Sequence, residues 1–216
     1  MMVDNYITIK EPSEGEYKEK GSKFLAYAFP LDEESQLQSI LAELHQIHPK
    51  ARHFCFAYKI GLDDTRYRMN DDGEPSGTAG KPIYGQILSF GITNVIIVVV
   101  RYFGGTKLGV PGLIHAYKEA TKNSLEMASI IEKFIYTKFS IILDFDKMGQ
   151  TMNILNKYPI QFLAQSFEDR CTIDIQMRKS IAEEWQKSFM GDILGRSAKD
   201  IIGTEDLGGI EITQIE

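Results

Sequence analysis

The segment VIIVVV, from Val95 to Val100, constrains the fold more than any other part of the sequence. It is an unbroken apolar run rich in β-branched residues and too short to cross a membrane. Such a run predicts a strand whose two faces are both covered inside a sheet. Arg101 follows directly, and we expect the strand to reach solvent at that residue.

A glycine-rich loop follows this strand, with glycines at positions 104, 105, 109 and 112. Glycine permits positive φ and lets the backbone approach a neighbour closely. A helical pattern then runs from Leu113 to about Ser129, so the loop leads into a helix N-terminus, where free N–H groups and the helix dipole favour an anion. The pattern predicts an anion or nucleic-acid site formed by Arg101, Gly104, Gly105 and Lys107.

The two cysteines exclude several classes of site. Cys55 and Cys171 lie far apart in a chain of 216 residues, and neither belongs to a CxxC pair. This spacing argues against a zinc cluster or a disulfide framework and predicts two buried thiols. No export signal or apolar run of about 18 residues is present, so we expect a cytoplasmic protein without a membrane segment. We expect no cofactor and no bound metal.

The charge is unevenly distributed along the chain. The net charge is −6, but residues 51–130 carry 9 basic against 7 acidic side chains, while the flanking segments are each acidic by 4. The glycine-rich centre is therefore the net-positive part, which permits a local positive patch on an acidic protein.

The first part of the chain alternates strands and helices. Strands are predicted over residues 6–9, 22–29, 52–60 and 95–100. Asp32 is predicted to cap a helix that Pro49 ends, and Pro82 to open a short helix that Gly91 closes. Residues 61–80 are predicted to form a long polar loop. Loops of that length in compact domains are often functional.

The remainder has the order β-α-β-β-α-β. Strands are predicted over residues 136–143, 160–167, 171–177 and within 201–212, with helices over 147–157 and 180–189. This is the ferredoxin-like order, so an α+β protein of two domains, residues 1–131 and 132–216, is expected.

Four segments are similar to a known family. They are ARHFCFAY (Ala51–Tyr58), NDDGEPSGTAGKPI (Asn70–Ile83), VVVRYFGGTKLG (Val98–Gly109) and GLIHAY (Gly112–Tyr117). In this order and spacing they resemble the YigZ/Impact family. The resemblance implies an N-terminal domain like the second domain of a small-subunit ribosomal protein and domain IV of elongation factor G, and a C-terminal domain like domain V of that factor. Eukaryotic relatives restrain a starvation-sensing translation kinase with help from an extra domain. The bacterial members offer no activity to transfer.

One departure from the family pattern concerns the start of the last helix of this region. Family members tend to have Leu-Val-Arg-Ala-Tyr where this chain has Leu-Ile-His-Ala-Tyr, so His115 replaces an arginine. Histidine is largely neutral at pH 7. If the arginine binds an anion in relatives, the site here is weaker or depends on pH.

The polar loop resembles two ligand-binding motifs without matching either. A nucleotide phosphate loop would need glycine at Pro75 and Ser or Thr at Pro82, and a calcium loop fails at Arg68 and Ala79. The motif-loop residues are Asp71, Asp72, Gly73, Glu74, Gly77 and Gly80. Its acidic residues suit either a Mg²⁺ ion or, more economically, a tight turn in which aspartates bind nearby backbone.

The remaining candidate residues each carry a structural and a functional interpretation. Strand alternation would place His53 on the same face as Cys55, either as a buried, hydrogen-bonded histidine or as half of a Cys-His catalytic pair. We also expect His53 and His115 to belong to the nucleic-acid or anion site, together with Gly104, Gly105 and the basic candidates, which are Arg52, Lys81, Arg101 and Lys107. They either form a solvated surface and ion pairs with the acidic loop, or bind an anion. Tyr102 and Phe103 either complete a core or stack on unpaired bases.

These observations favour a non-catalytic binding protein of the translation apparatus. It would contact RNA, the ribosome or a translation regulator through the glycine-rich loops. An enzyme acting on a nucleotide or phosphorylated metabolite is the alternative. A third hypothesis is a protein-interaction scaffold that uses the C-terminal sheet.

Overall fold

The structure is a computed structural model that describes residues 4–63 and 65–215. The chain divides into two compact units, the first of residues 6–133 and the second beginning at Phe134 and including residues 4–5. This division lies two residues after the expected boundary between residues 131 and 132. The expected linker is a strand, Ile130–Phe134, rather than an open connection.

The first unit is built around a five-stranded sheet. The strands of this part of the chain are β1 (Asn5–Ile9), β2 (Ser13–Glu19), β3 (Ser22–Pro30), β4 (His53–Ile60), β5 (Arg66–Asn70), β6 (Val95–Tyr102) and β7 (Ile130–Phe134), of which β1 and β7 lie outside the five-stranded sheet. Its helices are α1 (Leu37–Ile47), α2 (Gly80–Ser89) and α3 (Gly109–Glu126). The antiparallel sheet has the order β2-β3-β6-β4-β5, and β1 pairs separately with β7.

Strand β6 lies at the centre of this sheet and is covered on both faces, as its apolar run predicts. Val95, Ile97 and Val99 pack in one core with residues of α2 and α3. Ile96, Val98 and Val100 pack in the opposite core with Leu37 and Leu44 of α1. All six side chains are fully buried. Burial of one such side chain is worth about 1.5–3 kcal/mol, so this strand anchors both layers.

Two local predictions are wrong, and one strand was not predicted. Asp32 does not cap α1, because a 3₁₀ turn over Glu34–Gln36 precedes that helix and the Asp32 carboxylate accepts a hydrogen bond from the Asn94 amide. The polar loop contains strand β5, which pairs with β4. Strand β2, with the polar sequence SEGEYKE, was not predicted. Both β2 and β5 are edge strands of the sheet, where charged side chains are common because they discourage pairing with another chain.

The second unit is ferredoxin-like, as expected. It contains β8 (Tyr136–Leu143), α4 (Met148–Leu155), β9 (Gln161–Phe167), β10 (Cys171–Arg178), α5 (Lys179–Leu194) and β11 (Ile210–Ile215). The antiparallel sheet has the order β11-β8-β10-β9. Its core includes Trp185, Phe189 and the predicted buried thiol of Cys171. The predicted α+β class is confirmed. In the described chain, no helix is long and apolar enough to span a membrane.

Candidate functional site

The loop before α2 is organised by the carboxylate of Asp71. This carboxylate accepts hydrogen bonds from the backbone N–H groups of Gly77, Ala79 and Gly80, at 2.8–2.9 Å. Three backbone donors on one side chain fold residues 71–80 into a compact turn that starts the helix. Asp71 is therefore a structural residue of the motif loop.

The neighbouring Asp72 binds the start of β4. Its carboxylate accepts the Phe54 N–H at 2.6 Å, and its carbonyl oxygen lies 2.8 Å from Nδ1 of the half-buried His53. Asp72 has positive φ, as does Gly73 beside the His53 ring. Of the two interpretations of the acidic loop, these hydrogen bonds support the tight turn over a Mg²⁺ site.

Glu74, the third acidic residue of the loop, pairs with the end of β6. Its Oε1 atom accepts a hydrogen bond from Arg101 Nη1 at 2.5 Å, and only 4% of the Glu74 side chain and 6% of the Arg101 side chain are exposed. The expectation that the strand reaches solvent at Arg101 is wrong, because the arginine folds inward onto this carboxylate. A buried charge needs such a partner.

Arg101 keeps hydrogen-bonding capacity beyond this pair. Within the described part of the chain, its buried Nε atom has no acceptor and its Nη2 atom makes no hydrogen bond. The guanidinium carbon lies 5.3 Å from the ring centre of Phe24 and 5.6 Å from that of Phe103. A guanidinium has five N–H donors, so part of this one is unused.

A buried network continues from Glu74 into the core. The Tyr117 hydroxyl donates to Glu74 Oε1 at 2.8 Å, and the Cys55 Sγ atom lies 3.2 Å from that hydroxyl and 3.0 Å from the Asp71 carbonyl oxygen. Burial, above all, raises the pKa of the Cys55 thiol and that of the Tyr117 hydroxyl far above their usual values.

This network bears on the hypothesis of a Cys-His catalytic pair. The pair would need a thiolate, but Cys55 is buried and holds its proton. His53 directs Nδ1 to the Asp72 carbonyl instead of the thiol. The geometry therefore supports the structural interpretation of both residues, except that His53 is only half-buried. Cys55 is a buried thiol, as predicted.

The paired glycines after β6 have different functions. The Gly104 N–H donates to Ser22 Oγ at 3.1 Å, and a Cβ atom on Gly104 would fall inside the backbone of Gly21. Gly104 thus permits a close backbone contact and does not offer its amide to a ligand. Gly105 has φ +87° with open space around it, so it supplies the turn.

A cleft of about 350 Å³ lies between these segments. We call it the motif cleft; its walls are Glu74, Pro75, Arg101, Phe103, residues 107–110 and Leu113. Helix α3 begins at Gly109, not at Leu113 as predicted, so its first turn forms part of the wall. Among the residues that the structure describes, no side chain caps this helix N-terminus, and the first turn contains no acidic residue. Lys107 is exposed and, among the described residues, has no ion-pair partner.

The other predicted basic residues do not line the motif cleft. Arg52 is exposed just before β4, and Lys81 is exposed in the first turn of α2. His115 is exposed on α3, and its ring packs edge-on against Tyr17 of β2, with 5.6 Å between ring centres. The structure therefore brings together Glu74, Arg101 and Lys107 beside the Gly104–Gly105 turn, and leaves the remaining cations outside.

Comparisons with known proteins match the chain across this region. The Impact N-terminal domain family matches residues 20–125. The IMPACT family member YvyE of Bacillus subtilis is 34% identical over 156 residues, which are 72% of this chain and 72% of that protein. An IMPACT family member of Haemophilus influenzae is 29% identical over 91% of this chain and 95% of its own length. The chain belongs to the IMPACT family.

The fold of this IMPACT family member is also found in a solved structure. The crystal structure of a hypothetical protein superposes with a TM-score of 0.68 at 22% identity, covering 100% of this chain and 99% of that one. The region matched to the Impact N-terminal domain contains the whole motif cleft.

Sequence reasoning missed the partnership of Tyr117 with Glu74. Both residues lie in the motifs that resemble the family, but they are 43 positions apart. No local pattern signals that pair. The only available signal was the presence of an acidic residue and a tyrosine in two motifs that occur together.

Proposed function

We propose that this IMPACT family member is a non-catalytic regulatory protein of translation that contacts RNA at the motif cleft, through Lys107 and the start of α3. Family membership supports the translational role, in line with the eukaryotic relatives that the sequence motifs resemble. One observation carries the RNA contact. Lys107 is exposed, has no ion-pair partner among the described residues, and lies beside the N-terminus of α3 in the net-positive segment of an acidic chain.

The electrostatics of the cleft predict weak and salt-sensitive binding. The charge of Arg101 is neutralised by Glu74, so Lys107 and the α3 amides supply the attraction for phosphate. For each phosphate contact on a single strand, the logarithm of the association constant falls by about 0.7 for each unit increase in the logarithm of the salt concentration. Two contacts would therefore weaken binding about sevenfold between about 50 and 200 mM salt.

Fluorescence anisotropy of a short, labelled, unpaired RNA tests this proposal. Lys107→Gln should weaken binding severalfold and reduce the salt slope, since a phosphate contact is lost. Lys118→Gln is the matched control, because Lys118 is also exposed on α3 but does not line the cleft. Equal effects of the two substitutions on RNA binding, or RNA binding that does not change with salt concentration, would contradict a contact at the cleft.

The partner within the translation apparatus is tested separately. Sedimentation of the purified protein with ribosomes, at low and moderate salt, measures a ribosomal contact directly. Co-sedimentation that Lys107→Gln reduces would support the same surface. Binding of a protein regulator without RNA would instead favour the scaffold hypothesis, and turnover of a nucleotide or phosphorylated metabolite would favour the enzyme hypothesis.

A further inference from the structure

The walls of the motif cleft suit a ligand with a flat apolar part and a single negative group. Phe103, Leu108 and Val110 contribute apolar surface, while the charged side chains of the lining are Glu74, Arg101 and Lys107. We propose that the cleft holds one unpaired nucleotide, with its base against Phe103 and its phosphate at the first turn of α3. This inference rests on the proposed function and names the ligand of the same site.

Phe103 provides the surface for the base. Its side chain is 57% exposed, so much of the ring is free, while the Arg101 guanidinium carbon lies 5.6 Å from its centre. Tyr102 does not offer such a surface, because its hydroxyl is hydrogen-bonded to His48 and its side chain packs against the α1 core. Every base has a flat face, so stacking on Phe103 tolerates any sequence.

Glu74 and Arg101, in the lining of the cleft, offer hydrogen bonds to the edge of the base. Glu74 uses only Oε1 in its contacts with described residues, which leaves Oε2 as an acceptor beside the unused Nε and Nη2 donors of Arg101. Each nucleobase carries a donor next to an acceptor on its pairing edge. An unsatisfied buried N–H costs about 1–3 kcal/mol, so Arg101 favours a ligand that supplies an acceptor.

The start of α3 provides the position for the phosphate. The amides of Gly109 and Val110 begin an 18-residue helix that no side chain of the described residues caps, and Lys107 adds an exposed positive charge. The carboxylate of Glu74 disfavours a small anion beside it in the cleft. We therefore expect the base, and not the phosphate alone, to supply most of the affinity.

Titration of the full-length, ¹⁵N-labelled protein with each 5′-mononucleotide tests the proposal. Ribose 5-phosphate and inorganic phosphate serve as ligands without a base. Amide shifts should appear at residues 103–110, and binding should be about tenfold tighter with a base than without one, the scale of a single base stack. Phe103→Leu should weaken nucleotide binding by the same factor, while Phe167→Leu, which alters an equally exposed phenylalanine of β9, should not.

Three outcomes overturn the inference. They are binding of ribose 5-phosphate as tight as that of the nucleotides, amide shifts that lie outside residues 103–110, and tighter binding of a short peptide with a free carboxylate than of any nucleotide. The proposed function fails independently. If the protein binds no mononucleotide but its RNA binding survives Phe103→Leu, only the nucleotide pocket is refuted. If the protein binds mononucleotides but not RNA, only the RNA contact is refuted.

Discussion

Arg101 Nη1 lies 2.5 Å from Glu74 Oε1, and both side chains are more than nine-tenths buried. This ion pair joins the end of the central strand to the acidic loop and lines the motif cleft. The pair therefore couples the stability of the first unit to the shape of the cleft.

Glu74→Ala should destabilise the first unit by about 3–5 kcal/mol, because Arg101 would remain buried without a counter-charge. Urea unfolding measures the loss. Glu126→Ala is the control, since it removes an exposed ion pair with Lys122 that is worth about 0–1 kcal/mol. Similar losses in the two variants would show that the Glu74 pair contributes no more than a surface pair.

Gly104→Ala should be more damaging than Gly105→Ala. A Cβ atom at Gly104 meets the backbone of Gly21, which cannot move aside as a flexible side chain would, so we expect a loss of about 3 kcal/mol. A Cβ atom at Gly105 meets open space, and only its positive φ costs about 1 kcal/mol. Thermal unfolding of both variants ranks them, and the reverse order would refute the packing function of Gly104.

The first unit should lose stability at alkaline pH because of Cys55. Burial raises the pKa of the folded thiol, so below the unfolded value of about 8.5 both states keep the proton and stability is complete. Above that pH the unfolded thiol ionises, and unfolding becomes easier by about 1.4 kcal/mol per pH unit. Cys55→Ala should flatten the stability profile between about pH 8.5 and 9.5. An unchanged slope in that variant would contradict a protonated Cys55.

A fragment of residues 1–134 should fold by itself, since residues 6–133 form one compact unit that includes β7. A fragment that ends at residue 129 lacks β7, which pairs with β1, and should melt about 5 °C lower. Circular dichroism during heating compares the two fragments. Equal melting temperatures would mean that β7 is dispensable and that the unit ends before residue 130.

The local patterns of the sequence determined the secondary structure wherever the buried residues recur at the spacing of a helix or a strand. The run from Val95 to Val100 predicts a strand covered on both faces, and the β-α-β-β-α-β order predicts the ferredoxin-like unit; both are confirmed. The acidic loop could likewise be interpreted as a turn, because aspartates near glycines bind adjacent backbone. The motifs also located the region of the cleft, since all of its wall residues lie between positions 74 and 113.

Only the tertiary structure decided what the charged residues do there. Arg101 looks like a surface cation in sequence, but Glu74, 27 positions away, neutralises it, and Lys107 is left as the exposed charge. Gly104 looks like part of an anion-binding loop in sequence, but the close approach of the Gly21 backbone is the reason that position 104 needs glycine. The local spacing of apolar residues indicates whether a side chain is buried. The residue that the side chain contacts depends instead on which distant segment packs against it, and the assembly of the whole sheet sets that packing.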